Sequence, residues 1–214
     1  MSGYMVEQRR LDLFSTPVIK AVFPDYQMAN ARFLQTISAK RAGDPKGIDR
    51  SNQGGWHSDT DMLDWGGPEA SRLAEFATSL CAPHLADTHA GGKRDFRFVC
   101  EMWTNTNPPG AQNAYHCHPG AIWSGVYYVD DGGREGPGGE LMLQDPRFPM
   151  AYMTVPDLVV RDSAGEPAHA TYSIAPKPGI LVMFPGWLGH SVRQHKGYRE
   201  RVSIALNLTL HAAD

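Results

Sequence analysis

The chain has 214 residues and a formal net charge of −3. That length suits one domain with a substantial core, and no Pro/Gly-rich linker divides it. The charge balance leaves no basic stripe for nucleic acid and no polybasic arm for a membrane surface. With no N-terminal h-region and no apolar run of about eighteen residues, neither export nor membrane spanning is expected, and a cytoplasmic location is the expectation.

In chain order, the segment from Pro24 to about Arg41 places Met28, Phe33, Leu34 and Ile37 at helical spacing, and "PEASRLAEFATSLCAPHLAD" repeats the pattern with Leu73, Phe76, Ala77 and Leu80. Between them, "SNQGGWHS" brings Asn52, Trp56 and His57 around a glycine pair, a combination that suits either a substrate mouth or a simple turn with Trp56 packed on the core. After Arg94 the texture changes to short β-rich runs, "FRFVCEMWTN", "IWSGVYYV", "ELMLQ", "AYMTV", "LVVR", "ATYSIA", "GILVMF", "HSVRQ" and "RVSIALNLTL", with Gly, Pro and Asp between them. So many short strands predict a sandwich or jelly roll. The break between "MTVPD" and "RDSAGEPAHATY" reads as a hairpin insertion. The expectation is therefore a single mainly β domain over 1–214, with a mostly helical flanking region over 1–93 and a barrel over 94–214. The scattered, odd-numbered Cys81, Cys100 and Cys117 read as reduced thiols.

The chemistry-bearing stretch is "NAYHCHPG". In a strand, alternate side chains share a face, so His116 and His118 stand about 6.6 Å apart at their backbones and can converge on one ion; a hydrogen-bonded pair at a sheet mouth is the bland alternative. The "FPGW" turn delivers His190 to the start of another strand. Three histidines on two strands can cap one face of a metal and leave the other open, as non-haem Fe(II) oxygenases require. In "YRERVSIALN", Arg201 and Ser203 fall on one strand face and form a fork suited to a carboxylate, although a surface ion pair of Arg201 with Glu200 is the competing role.

These motifs, in the order HxH, "SGVYYV", "GGELMLQDPR", "PGILVMFPGWLGH" and "RVS", resemble the iron and 2-oxoglutarate dependent oxygenases, particularly their prolyl-hydroxylase-like branch. With "NQGGWHS" upstream they are similar to a family of bacterial proteins of that superfamily, over about Asn52 to Leu210. The resemblance implies a double-stranded β-helix (jelly roll) with flanking helices, Fe(II) near one mouth, and 2-oxoglutarate as co-substrate yielding succinate and carbon dioxide. Position by position, it implies His116 and His190 as iron ligands, Arg201 with Ser203 on the far carboxylate of 2-oxoglutarate, and Tyr128 against the co-substrate or in the core. Arg199 lacks a hydroxyl two residues on. The departure is His118, where most of the superfamily has Asp or Glu. A His116, His118 and His190 site is preferred, with Asp145 as an alternative oxygen ligand or a solvated loop acid. His195 is expected to be solvated, and iron binding is expected to weaken below about pH 6.5.

For the substrate, Asn52, Trp56, His57, Asn105 and Asn113 are the candidates, with Trp103 either beside them or in the core. The expected partners are a small-molecule or peptide substrate and a second copy in a homodimer. The rival readings are a three-His cupin-type iron protein and a degenerate, non-catalytic metal-binding barrel. Against the cupin, Ile122 and Trp123 stand where its glutamate belongs. A zinc hydrolase would have no use for the Arg201/Ser203 fork.

Overall fold

The computed structural model describes residues 10–89, 91, 94–149, 155 and 158–212. Its architecture follows from strict alternation in the long strand β11 (Arg201–Ala212). Val202, Ile204, Leu206 and Leu208 point into a core shared with the helices, while Arg201, Ser203, Ala205 and Asn207 line a cavity on the other face. Its neighbour β4 (Phe96–Asn107) obeys the same period: Met102 joins the core, and Glu101, Trp103 and Asn105 line the cavity.

These two strands sit in a six-stranded antiparallel sheet with β1 (Ile19–Val22), β3 (Trp56–His57), β6 (Trp123–Asp130) and β9 (Ile180–Pro185), in the order β1-β9-β6-β11-β4-β3. A second, five-stranded sheet contains β2 (Asn52–Gln53), β5 (Gln112–His116), β7 (Leu141–Gln144), β8 (Thr171–Ile174) and β10 (His190–Val192), in the order β2-β5-β10-β7-β8. Tyr128, Val182 and Phe184 from the larger sheet pack with Leu141, Leu143 and Ile174 from the smaller, closing the jelly roll. The first third of the chain adds three short strands, β1, β2 and β3, to its helices, so it completes both sheets as well as flanking them.

Helix α1 (Tyr26–Gly43) buries Ala29, Asn30, Phe33 and Ile37; Met28 and Leu34, which share the predicted spacing, lie on its exposed side. After the single turn α2 (Met62–Trp65), helix α3 (Gly67–Cys81) buries Ala70, Leu73 and Ala77. The predicted helix runs further, to Asp87. It gives way to a 3-10 turn at Ala82–His84 because Pro83 has no N–H to continue the ladder. The strand predicted over 151–155 lies, apart from Val155, outside the described residues. The predicted 158–161 strand reduces to one bridge, Arg161 to Pro167, across a turn closed by the Asp162 amide donating to the Glu166 carbonyl at 2.8 Å. Among the described residues, no helix is long and apolar enough to cross a membrane.

One polar anchor fixes α1 on the sheet. Buried Asn30 donates to the Val129 carbonyl at 2.8 Å and accepts the Tyr127 hydroxyl proton at 2.5 Å. Asn30→Ala strands both groups without water, so it should destabilise the protein by about 2 to 4 kcal/mol in a urea titration, well beyond the effect of a surface substitution.

Candidate metal centre

His116 ends β5 and His190 begins β10, and the two are direct cross-strand partners. His118 follows two residues later, its backbone N–H tied to the Gly186 carbonyl at 2.8 Å on the turn that delivers His190. The ring centroids are separated by 4.3 Å (His116–His190), 5.0 Å (His116–His118) and 5.1 Å (His118–His190). One nitrogen from each ring lies within 4.8 Å of the others, the grouping a single ion needs.

The tautomers are set from behind. His116 Nδ1 lies 2.7 Å from the Ala114 carbonyl and His190 Nδ1 lies 2.9 Å from the Leu188 carbonyl, so each Nδ1–H donates backwards and leaves the Nε2 lone pair for the cluster. His118 Nε2 stands 3.3 Å from His190 Nε2. Burial lowers all three pKa values, and repulsion from neighbouring imidazoles adds to it at two of them: His118 falls to about 4 and His190 to about 3. The three rings are therefore neutral at pH 7, the form that ligates a metal.

This arrangement has a consequence for the metal-free chain. Its folded state takes up these protons at a lower pH than the unfolded state, whose histidines titrate near 6.5. Between those limits the unfolded chain holds more protons, so stability should fall as pH drops from about 6.5 toward 3. His190→Ala should flatten that dependence in urea melts; an unchanged slope would assign it to other groups.

The rings open into a cavity of about 310 Å³ whose wall includes Tyr128, Arg201 and Ser203. Arg201 is 2% exposed. Its Nη2 donates to Asn107 Oδ1 at 2.8 Å, its Nη1 reaches the Gly139 carbonyl at 3.3 Å, and its Nε has no partner. Among the described residues no carboxylate pairs with it. Burial pulls its pKa down, opposed by the nearby Tyr128. Tyr128 is itself fully buried with an unpartnered hydroxyl, its pKa pushed up to about 12 by desolvation. A buried guanidinium and phenol with unspent donors are costly unless an anion completes them. The chain thus offers a neutral three-nitrogen donor set for a divalent metal and, in the same cavity, donors for a carboxylate.

Of the predicted substrate residues, His57, Asn105 and Asn113 line this cavity, with Trp103. Asn52 and Trp56 are not in its wall. Asn52 closes the glycine turn, accepting from the Arg50 amide and donating to the Gly55 carbonyl at 2.9 Å. Trp56 points to the helical core and donates from Nε1 to the Asp44 carbonyl at 2.8 Å. Alternation explains Trp56: it and His57 are adjacent in β3 and face opposite sides.

Asp145 lies outside the cavity wall, ion-paired to Arg147 at 2.8 Å. Arg199, with a side chain 53% exposed, pairs with Asp130 at 2.9 Å. The expectation of a solvated His195 is overturned. It is 1% exposed, with Nε2 on the Arg199 carbonyl at 2.8 Å, because the glycines at 132 and 197 leave room that a Cβ would fill. The sequence reading also missed Asn107, Arg50, Glu101 and Asn207. Asn107 is the direct cross-strand partner of Arg201, a pairing that only the register of β4 against β11 exposes.

Residues 101–207 match the family model described as "Putative 2OG-Fe(II) oxygenase". No curated protein sequence matches the chain. Among solved structures, it is similar to a prolyl-4-hydroxylase from Pseudomonas putida (18% identity, 92% of this chain and 95% of that one, TM-score 0.52). It is similar also to a prolyl hydroxylase from Trichoplax adhaerens in complex with a hypoxia inducible factor peptide fragment (14% identity, 90% and 83%, TM-score 0.59). A third is HygX from Streptomyces hygroscopicus with nickel, 2-oxoglutarate and hygromycin B bound (12% identity, 91% and 82%, TM-score 0.57). The structural likenesses establish the jelly-roll fold, and the family match, over half of the chain, establishes that this protein belongs to the 2OG-Fe(II) oxygenases, enzymes that use Fe(II) and 2-oxoglutarate.

Proposed function

We propose that the protein is a hydroxylase in which His116, His118 and His190 hold Fe(II) and Arg201, with Ser203 and Tyr128, holds 2-oxoglutarate. The observation that carries this reading is the buried Arg201, without a carboxylate partner among the described residues and facing the same cavity as three imidazoles whose lone pairs converge. When bound, the iron and co-substrate supply oxidation of a substrate by dioxygen, coupled to decarboxylation of 2-oxoglutarate to succinate.

The chain's own part is positioning. Asn107 and the Gly139 carbonyl fix the guanidinium plane, leaving the unpartnered Nε for the distal carboxylate, and the Tyr128 hydroxyl, protonated up to about pH 12, donates rather than repels. The Ala114 and Leu188 carbonyls hold two imidazoles in the ligating tautomer. Apolar Phe184 and Leu141 limit water beside them. The substrate class we favour is a small molecule or peptide in the cytoplasm; relatives in fold include proteins crystallised with hygromycin B and with a peptide fragment.

The test is anaerobic titration of the Fe(II) protein with 2-oxoglutarate. A saturable visible charge-transfer band, together with succinate formation on admitting oxygen, is expected. Iron binding without such a band would return the protein to the class of metal-binding barrels.

A further inference from the structure

The cavity holds charged and polar groups that binding iron and 2-oxoglutarate does not use. Arg50 lines it, is exposed, and makes no hydrogen bond or ion pair from its guanidinium among the described residues. His57 and His118 line the same cavity, so the Arg50 charge faces the space in front of the centre. Trp103 forms the adjoining wall, its ring 5.7 Å from His57 at 13° and 5.7 Å from His118 at 34°. Asn207 accepts the Ser124 hydroxyl proton on Oδ1 at 2.8 Å, which leaves its NH₂ without a protein partner among the described residues. Among the described residues, Glu101 is the one acid in the wall, and it is exposed.

The charge balance points one way. His118 contributes no negative charge where the superfamily pattern has a carboxylate. A divalent metal and dianionic 2-oxoglutarate cancel, and Arg201 with Arg50 outweighs Glu101, so the loaded cavity retains one positive charge. An unpaired charge beside a partly desolvated aromatic wall attracts an anion, and the planar fork of an arginine fits a carboxylate.

We propose that the cavity mouth is a carboxylate subsite in which Arg50, sharing the cavity lining with Trp103 and the Asn207 amide, selects an organic anion as the substrate. Calling its occupant the substrate rests on the oxygenase reading; the carboxylate subsite does not.

Cys117 provides a direct probe, because it lines the cavity and is exposed, whereas Cys81 is buried and Cys100 half-buried, their thiols pushed up to about 12 by desolvation. The thiolate sulfur displaces iodide from iodoacetate, itself a small carboxylate, or from neutral iodoacetamide. Both reagents meet the same thiolate fraction, so their rate ratio, divided by that of a free thiol to remove their intrinsic reactivities, reports the attraction of the carboxylate. The measurement uses metal-free protein at low ionic strength, with modification of Cys117 followed by peptide mass.

The iodoacetate/iodoacetamide ratio should exceed that of N-acetylcysteine amide by about fivefold, the size of one charge contact in water. Arg50→Ala should bring it back to the reference value, Arg50→Lys should retain most of it, and Glu101→Gln should raise it. A ratio equal to the reference, or one that survives Arg50→Ala, overturns the subsite. The outcome is separate from the 2-oxoglutarate band: a band without the ratio leaves the oxygenase and removes the subsite, and the ratio without a band does the reverse.

Discussion

Arg201→Ala should weaken 2-oxoglutarate binding by at least about a hundredfold while Fe(II) binding stays nearly intact. The guanidinium is buried with two neutral partners and an unused Nε, and its removal would leave the distal carboxylate of 2-oxoglutarate desolvated and unpaired. Breaking a buried pair in this way costs roughly 3 to 5 kcal/mol, and a hundredfold corresponds to about 2.7 kcal/mol. Ser203→Ala removes one neutral hydrogen bond, about 1 kcal/mol, and should weaken binding roughly fivefold. Arg199→Ala should change little, because that side chain is half in solvent and paired with Asp130. The free protein should respond in the opposite sense. Without the co-substrate, Arg201 is a buried charge with no counterion among the described residues, so Arg201→Met, of similar volume, should raise resistance to urea even as it abolishes 2-oxoglutarate binding. Calorimetry and denaturation on the same variants decide the matter. A stability loss with binding retained would make Arg201 a structural residue.

Much of this was readable because the decisive strands alternate cleanly. "RVSIALNL" sends Val202, Ile204, Leu206 and Leu208 to the helical core and Arg201 and Ser203 to the cavity, and the structure follows that period residue by residue. The histidines were legible only in part: His116 and His190 sit on paired strands, whereas His118 lies two residues beyond the end of β5 and is held by its backbone bond to Gly186 rather than by strand alternation. Other residues depend on information that no local pattern carries. Trp56 and His57 are neighbours in a two-residue strand, too short for a period to tell which faces inward. His195 looked like a solvated residue in a polar turn, yet Gly132, far away in sequence, joins the neighbouring Gly197 to make its pocket. Asn107 and Arg50 reach their places through cross-strand register and a loop. Arg50 would have been visible only by asking which cation lacked an acid, a question that requires coordinates.

Each of His116→Ala, His118→Ala and His190→Ala should cost at least about a hundredfold in Fe(II) affinity, because even partners that merely orient a ligating histidine are worth ten- to a hundredfold. His118 is the informative one. Its Nε2 stands 3.3 Å from that of His190 and its backbone is tied to the turn carrying His190, so the ring is held beside the other two. His118→Asp should keep the metal and, by adding a negative charge next to a divalent ion, bind it more tightly than His118→Ala. The pH dependence should differ from that of free histidine. With His118 lowered to about 4, His190 to about 3 and His116 also lowered, protons compete with the metal less than they would at free imidazoles, so affinity should fall less between pH 7 and 6 than a site of free histidines would show. It should then fall steeply in more acid solution, as several imidazoles take up protons together. Chelator competition across that range, with metal content measured on each variant, is the check. Full Fe(II) affinity in His118→Ala would remove it from the ligand set and leave a two-histidine site needing another donor. A fall between pH 7 and 6 as steep as that of free imidazoles would mean that the folded chain does not desolvate these rings as its packing requires.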